Sequence, residues 1–295
     1  MSAAKRALSE PATDAPLPGV PAPRTIRLEP THGFSRVLAP RELWRYREVA
    51  LQLAARDVTV RYRQTVLGAA WAILQPVLMM IVFTLIFSHL AHIPSEHRSY
   101  ALFSLAALVP WTFLSTTLQL GSDSLVSNSA LVSKTYFPRI FIPAGVLAAS
   151  LVDLGISIVV LLIIVLATGA ALSLNLLVLP LLVLIAFVTA LGVSSALSAV
   201  NVRYRDVRYV VPFAVQLWLF GTPVAYPITL VHAPWRTLIE LNPMVGVVEG
   251  FRWAVLGTAN APWGLIAVSA ASAAVLFVGG LAYFDRVERS FADLM

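Results

Sequence analysis

The amino-acid sequence predicts an all-α, polytopic membrane protein with six transmembrane helices. It also predicts an N-terminal amphipathic interface helix, and re-entrant outer gate helices between the fifth and sixth spans. The chain is 58% hydrophobic and only 12% charged, whereas about a quarter of the residues of a soluble domain are charged. Several uncharged runs exceed the roughly 20 residues that a helix needs to cross a bilayer. A cationic segment leads directly into the first of them, over residues 56–76.

Residues 1–40 have a different composition from the rest. They contain seven of the nineteen prolines and few large apolar side chains. Such a segment does not bury enough apolar surface to offset the entropy lost on ordering, so we expect a disordered tail. No apolar run follows Lys5 and Arg6, which argues against a signal peptide.

Residues 41–64 have the period of an amphipathic helix lying at the membrane surface. One side carries apolar residues such as Tyr46, Ala50 and Leu53, and the opposite side is rich in arginine and glutamine. Asp57 and Arg61 interrupt the apolar side and have the i,i+4 spacing of an ion pair. Either these charged side chains extend to the aqueous surface, or they contact a protein partner.

The transmembrane domain is predicted over residues 65–290. Uncharged runs and their breaks place its six spans at about 66–89, 100–121, 140–168, 176–200, 209–225 and 263–284. Asp153 falls midway along the third span, where a charge is costly unless it is paired or hydrated. The sequence leaves open whether Asp153 bonds to a neighbouring helix or lines a pore.

The distribution of cations predicts the orientation. An even number of spans places both termini on one side, and 18 of the 21 Lys and Arg residues fall on that side. Both termini are therefore expected in the cytoplasm by the positive-inside rule. This topology and anionic lipid account for the positive charge without a nucleic-acid partner.

The outer region 226–262 is long for a connection and is interrupted by prolines. Irregular backbone at membrane depth is tolerated only inside protein or beside a water-filled cavity. We therefore expect two short helices that dip back into the outer leaflet. Glu249 and Arg252 have i,i+3 spacing there, and a structural ion pair is favoured over contact with substrate.

Two cytoplasmic loops carry candidate docking residues. The 122–139 loop has the pattern of a short helix that ends before Pro138. The 201–208 loop contains three arginines and one aspartate. The 122–139 loop alone is also explained as an ordinary amphipathic connector. The 201–208 loop and residues 61–63 are each explained by positive-inside charge, but together they form a concentrated docking face.

Five motifs in order make the chain recognisable. They are Arg61-Tyr62-Arg63 with Leu67, Gly68, Trp71 and Pro76; residues 134–138; residues 205–207; residues 222–227; and Asn242-Pro243-Met244 with Glu249 and Arg252. With these motifs the chain resembles the membrane subunit of ABC-2 type polysaccharide exporters, which export lipid-linked O-antigen, capsule, teichoic acid or galactan. The resemblance covers about residues 41–290.

The resemblance implies a homodimer of permeases in the cytoplasmic membrane, bound to two copies of a separate ATPase. It implies contact with that ATPase at Asp57, Arg61, Arg63, Asn128, Lys134, Phe137, Arg203, Arg205 and Asp206. The sequence contains no GxxxxGK[ST] phosphate-binding loop, so ATP and Mg²⁺ are expected on the partner and no cofactor on this chain.

Aromatic side chains are candidates for the substrate pathway and gate. Aromatic rings pack against the C–H faces of sugar rings while the hydroxyls stay hydrated. The candidates are Trp71, Trp111, Phe113, Trp218, Phe220, Tyr226, Phe251 and Trp253, with Glu249 and Arg252 as the charged pair. Aromatic residues also line both membrane interfaces in general, so each of them has an alternative structural explanation.

Two other classes of protein are also compatible with the sequence. An ABC-2 exporter of drugs or small lipids has the same architecture. A membrane-embedded enzyme acting on polyprenyl-phosphate lipids is less favoured, because the acidic residues are scattered and the five histidines form no helical ligand pair. His89, His92 and His97 cluster near the first outer loop, where a hydrated loop is favoured over a metal site.

Overall fold

The computed structural model describes residues 44–63, 70–92, 99–134, 137–169, 173–257 and 260–288. These residues form helices and no strand, which confirms the predicted class. The predicted tail, residues 1–40, lies outside them. The helices are α1 (Arg47–Arg63), α2 (Ala70–Leu90), α3 (Tyr100–Ser127), α4 (Ser129–Lys134), α5 (Phe141–Ala167), α6 (Leu179–Arg203), α7 (Val207–Phe220), α8 (Trp235–Glu240), α9 (Pro243–Leu256) and α10 (Trp263–Glu288).

Among the described residues, five helices are long and apolar enough to cross a membrane. They are α2, α3, α5, α10, and α6 together with the 3-10 turn Leu174–Val178 before it. They coincide with the predicted first, second, third, sixth and fourth spans. The last part of α2, Thr84–Leu90, is a π-helix.

The predicted fifth span differs from the other five. Helix α7 ends at Phe220 after 14 residues, a length of about 21 Å at 1.5 Å per residue. This is shorter than the hydrocarbon core of about 30 Å. The cause is local, because Pro223 lacks a backbone N–H and disfavours helical geometry at Thr222. The prediction that the helix continues to residue 225 was therefore wrong.

Helix α3 is the centre of the bundle. Its most apolar stretch is 83% buried, whereas that of α2 is only 11% buried. Helix α3 packs against α5, α6, α7 and α9, and α6 packs against α10. Helix α2 lies at the periphery and presents most of its apolar surface outward.

Two close helix crossings depend on glycine. A Cβ on Gly280 of α10 would lie 2.1 Å from the carbonyl oxygen of Gly192 on α6. A Cβ on Gly246 of α9 would lie 2.3 Å from the carbonyl oxygen of Leu265 on α10. Small residues allow this backbone contact between membrane helices, where van der Waals packing supplies much of the association energy.

The outer region contains two helices, α8 and α9. Every residue of α9 except Glu249 is buried, and α9 packs against α3, α6 and α10. Asn242 caps its first turn by accepting a hydrogen bond from the Met244 amide at 3.0 Å, and Pro243 occupies the first helical position. The helix ends at Gly257, whose φ of 66° is left-handed.

Candidate coupling and translocation sites

Helix α1 packs along the first half of α5. Leu53 is the residue of α1 that is fully buried, in a cluster with Phe137, Phe141 and Phe284. Further along, Asp57 lies so close to Gly145 that a Cβ there would be 3.0 Å from its carboxylate. Tyr46 and Ala50 also pack on this cluster, which agrees with the predicted apolar side of α1. Helix α1 is therefore fixed to the bundle.

Arg56 connects α1 to the end of α3. One guanidinium nitrogen donates to Asp57 Oδ1 at 2.8 Å and to Asn128 Oδ1 at 2.9 Å. Asn128 lies between α3 and α4, and its side-chain amide donates to the Ser124 carbonyl. Arg56 thus links two predicted coupling residues, Asp57 and Asn128. Arg56 itself was not among the coupling residues predicted from the sequence.

Arg61 and Tyr62 both bind Asp153 of α5. The Arg61 guanidinium and the Tyr62 hydroxyl donate to different oxygens of the carboxylate, and Arg61 also reaches Ser150 Oγ at 3.4 Å. Burial and the hydrogen bond to Asp153 raise the pKa of Tyr62 to about 12, so its hydroxyl keeps its proton at neutral pH. The Asp57–Arg61 ion pair suggested by the spacing does not form, because each side chain has a nearer partner.

The last turn of α6, where the predicted 201–208 loop begins, is also attached to the end of α3. Asn201 is buried and donates to the Ser122 carbonyl at 3.0 Å and to Asp123 Oδ1 at 3.3 Å. Beyond this anchor, Arg203, Arg205 and Asp206 are exposed to solvent. Asn201 was not among the residues predicted from the sequence, although an amide at the end of an apolar span is a recognisable signal for such an anchor.

The remaining coupling candidates differ in accessibility. Arg63 is exposed at the end of α1, and Lys134 is the last residue of α4. Phe137 is 7% exposed and belongs to the cluster around Leu53. Phe137 therefore packs inside the protein and stabilises the cluster around Leu53. The exposed side chains, which could contact another protein, are Arg63, Arg203, Arg205 and Asp206.

Arg252 is buried at the opposite end of the bundle, near the start of α3. The side chain is 2% exposed and donates to Glu249 Oε1 and to the Val224 carbonyl, both at 2.8 Å. Its guanidinium also lies 3.5 Å from the centre of the Phe103 ring. The i,i+3 ion pair expected from the sequence is present, and Arg252 joins α9 to α3 and to the turn after α7.

A second network holds the end of α7 to the start of α9. The Asn242 amide donates to the Gly221 carbonyl at 3.1 Å and to Thr222 Oγ1 at 2.8 Å. The Trp218 indole N–H donates to Asn242 Oδ1 at 3.0 Å. The Trp218 ring meets Trp111 edge to face at 6.4 Å between centroids.

The aromatic candidates divide into packed and accessible groups. Trp111 and Trp253 are 4% and 8% exposed, and Phe113 and Phe251 are buried with them in the core. Trp218 is half-buried, as is Tyr226, whose hydroxyl donates to the Phe220 carbonyl at 2.9 Å. Trp71 and Phe220 are 51% and 58% exposed. These last two have surface available for a passing substrate.

A cavity of about 270 Å³ lies between α2, α3 and α5, below the end of α1. It brings together Arg61, Tyr62 and Asp153 with Trp71. Asp153 thus bonds to α1 and also lines this cavity. Within the described part of the chain, no group of three or more His, Asp or Glu side chains is arranged to hold a metal ion.

The long apolar helices, with charged residues concentrated where α1 meets the bundle, define a polytopic helical membrane protein. Residues 49–256 match the ABC-2 type transporter family, and the chain belongs to this family of membrane transport proteins.

Named relatives match almost the whole chain. The chain is 29% identical to the O-antigen export system permease protein RfbA of Myxococcus xanthus, over 86% of this chain and 97% of that protein. A Klebsiella pneumoniae protein of the same name is 24% identical, over 84% of this chain and 95% of its own length. The polysialic acid transport protein KpsM of Escherichia coli is also 24% identical, over 80% of this chain and 92% of its own length.

Proposed function

We propose that this chain is the permease subunit of an ABC transporter that exports a lipid-linked polysaccharide across the cytoplasmic membrane. The observation that carries the proposal is the similarity to polysaccharide permeases, which extends over 97% of the Myxococcus xanthus protein. Because the match covers 86% of this chain as well, it supports transfer of the whole architecture rather than of one motif. The permease itself is not an enzyme.

The energy source in this proposal is ATP hydrolysis on two copies of a separate ATPase subunit, which also binds Mg²⁺. The surface offered to it consists of Arg56, Asp57 and Asn128 with the exposed 203–206 segment. Arg56 and Asn201 bind this surface to the end of α3 at 2.9 and 3.0 Å. A displacement of α1 or of the 203–206 segment would therefore also displace α3, the central helix of the bundle.

The orientation follows from charge. The α1 end of the bundle carries the arginines of α1 and of the 201–208 loop, in keeping with the 18 of 21 cations assigned to the terminal side. That side is the cytoplasmic face of the inner membrane, with both termini inside. The α9 end then faces outward, with the Arg252–Glu249 pair beside the exit.

The assembly is a homodimer of permeases. Helix α7 is too short to cross the bilayer alone, yet Tyr209, Phe213, Leu217 and Phe220 are exposed along it. A second copy that covers these side chains gives the short α7 a protein neighbour, and a glycan pathway between the two copies would pass Phe220.

Co-reconstitution of the permease with its ATPase in liposomes tests the proposal. We expect ATP-dependent uptake of a lipid-linked glycan into inside-out vesicles, and no uptake when the ATPase carries a substitution of its phosphate-loop lysine. Transport of a small amphiphile or free lipid with the glycan lipid excluded would favour the drug or small-lipid exporter. Chemical modification of the polyprenyl-phosphate lipid by the permease alone would favour an enzyme.

A further inference from the structure

We propose that the cavity between α2, α3 and α5 binds one uncharged pyranose ring, and that it is a sugar subsite at the cytoplasmic end of the bundle. The inference rests on the proposed function and adds to it a location and a chemical class. Its walls include Arg61 of α1, Trp71 and Gln75 of α2, Thr116 and Leu120 of α3, and Asp153 of α5.

The charges of the cavity favour a neutral guest. The positive charge of Arg61 is already neutralised by Asp153, to which it is bound as an ion pair. Arg61 and Asp153 are the charged side chains among the residues that line the cavity. A phosphate or diphosphate would bring uncompensated negative charge beside the Asp153 carboxylate, and like charges at short range repel.

The wall chemistry matches a sugar ring. Trp71 is 51% exposed and offers an aromatic face for the C–H side of a pyranose. Gln75 and Thr116 make no side-chain hydrogen bond with any described residue, so their donors and acceptors are available to hydroxyl groups. Asp153 adds carboxylate lone pairs, since each oxygen accepts one hydrogen bond and has capacity for another.

The volume of the cavity limits the number of sugar rings that it can hold. The volume of about 270 Å³ is slightly below the range of roughly 300–1,000 Å³ that holds drug-sized ligands. One sugar ring fits, whereas an oligosaccharide does not. The cavity is therefore suited to hold a single sugar of the glycan beside α1, the helix that is proposed to contact the ATPase.

The natural absence of cysteine makes a direct test possible. Leu120 lines the cavity and is 47% exposed, whereas its neighbour Gln119 is exposed outside it. Single Leu120→Cys and Gln119→Cys variants of the full chain in lipid nanodiscs would be labelled with N-ethylmaleimide. Nanodiscs avoid alkyl glycoside detergents, which carry a competing sugar.

We expect methyl hexopyranosides of the gluco, galacto and manno series to slow labelling of Leu120→Cys and not of Gln119→Cys. At twice the dissociation constant the rate would fall about threefold, by simple mass action. Adding Gln75→Ala to the Leu120→Cys variant should remove most of the protection. Thr116→Cys serves as a second reporter if Leu120→Cys does not fold.

Three results would overturn the inference: no protection by any of the three sugars, equal protection at Gln119→Cys, or protection by inorganic pyrophosphate instead of sugar. The assay contains neither ATPase nor ATP, so it fails separately from the proposed function. Glycan export by the wild-type chain without sugar protection would refute only the subsite. Sugar protection without glycan export would refute only the exporter assignment.

Discussion

Arg252 has a greater predicted effect on stability than an ordinary surface arginine. It is 2% exposed, and its removal leaves Glu249 and two carbonyl oxygens without their charged donor. Breaking a buried ion pair by removing one partner costs about 3–5 kcal/mol. We expect Arg252→Met to lower the thermal unfolding temperature of the purified protein strongly, and to reduce its folded yield.

Arg236→Ala is the matched control for that substitution. Arg236 forms a 2.8 Å ion pair with Glu240 on the neighbouring short helix, but its side chain is 49% exposed. Exposed pairs contribute only about 0–1 kcal/mol. Equal losses in the two variants would show that burial of Arg252 is not what makes it important. A double variant, Arg252→Met with Glu249→Gln, should recover part of the loss, because the partly buried side chain at position 249 is then uncharged.

Arg61 is predicted to hold α1 against α5. Hydrogen bonds to charged groups contribute about 1.5–3 kcal/mol each to the folded structure, and Arg61 joins Asp153 and Ser150 from the last turn of α1. We expect Arg61→Ala to speed amide hydrogen exchange in α1 by about tenfold or more. Mass spectrometry of the protein in nanodiscs measures this directly. Arg45→Ala, an exposed position before α1, should leave the exchange rate unchanged, and a similar increase there would contradict the assignment.

At the scale of elements, the crossing of α6 and α10 is the contact most sensitive to one methyl group. A Cβ on Gly280 would lie 2.1 Å from the Gly192 carbonyl oxygen, while a Cβ on Gly279 meets nothing within 4 Å. Gly280→Ala must therefore push two backbones apart, at an overpacking cost of about 1–3 kcal/mol. Gly279→Ala gains roughly 1 kcal/mol of helix propensity without a clash.

Thermal unfolding of the two adjacent alanine variants measures this difference. We expect the midpoint to fall for Gly280→Ala, and to stay the same or rise slightly for Gly279→Ala. If Gly280→Ala is as stable as Gly279→Ala, the two helices are not in backbone contact at this crossing.

The helices that could be predicted are those determined by local sequence. The lengths of the apolar runs predicted five helices, because a span needs only enough consecutive apolar residues. These helices are α2, α3, α5, α6 and α10. The end of α7 was placed five residues too late, although Pro223 was visible in the sequence. The turn that replaces the last part of that span is held by Asn242, some 20 residues away, and such a contact has no local signature.

The contacts of the site residues also divide into local ones, which could be predicted, and distant ones, which could not. Asp153 was recognisable as a charge within an apolar run, but its partner Arg61 is 92 positions away. Periodicity compares residues a few positions apart, so it suggested Asp57 as the partner of Arg61 instead. The Glu249–Arg252 pair was predictable because three positions separate its members on one helix.

At the scale of the whole molecule, α7 is the expected contact between two copies of the chain. It is about 21 Å long, and its exposed side carries Phe213 and Leu217, which are 64% and 56% exposed. The other exposed apolar side chains lie mainly on helices long enough to meet lipid along their whole length. Lipid can cover those helices along their whole length, whereas α7 is shorter than the hydrocarbon core of about 30 Å. We therefore expect protein to cover its exposed side.

The cysteine-free chain allows this contact to be tested in native membranes. Phe213→Cys and Leu217→Cys report on α7, and Val275→Cys, 71% exposed on α10, is the control. We expect oxidation with copper phenanthroline to give a covalent dimer for at least one α7 variant, since a disulfide forms when the two Cα atoms are about 4.4–6.8 Å apart. Val275→Cys should remain monomeric. Crosslinking of Val275→Cys alone would place the interface at α10 and contradict the assignment of α7 as the contact between the two copies.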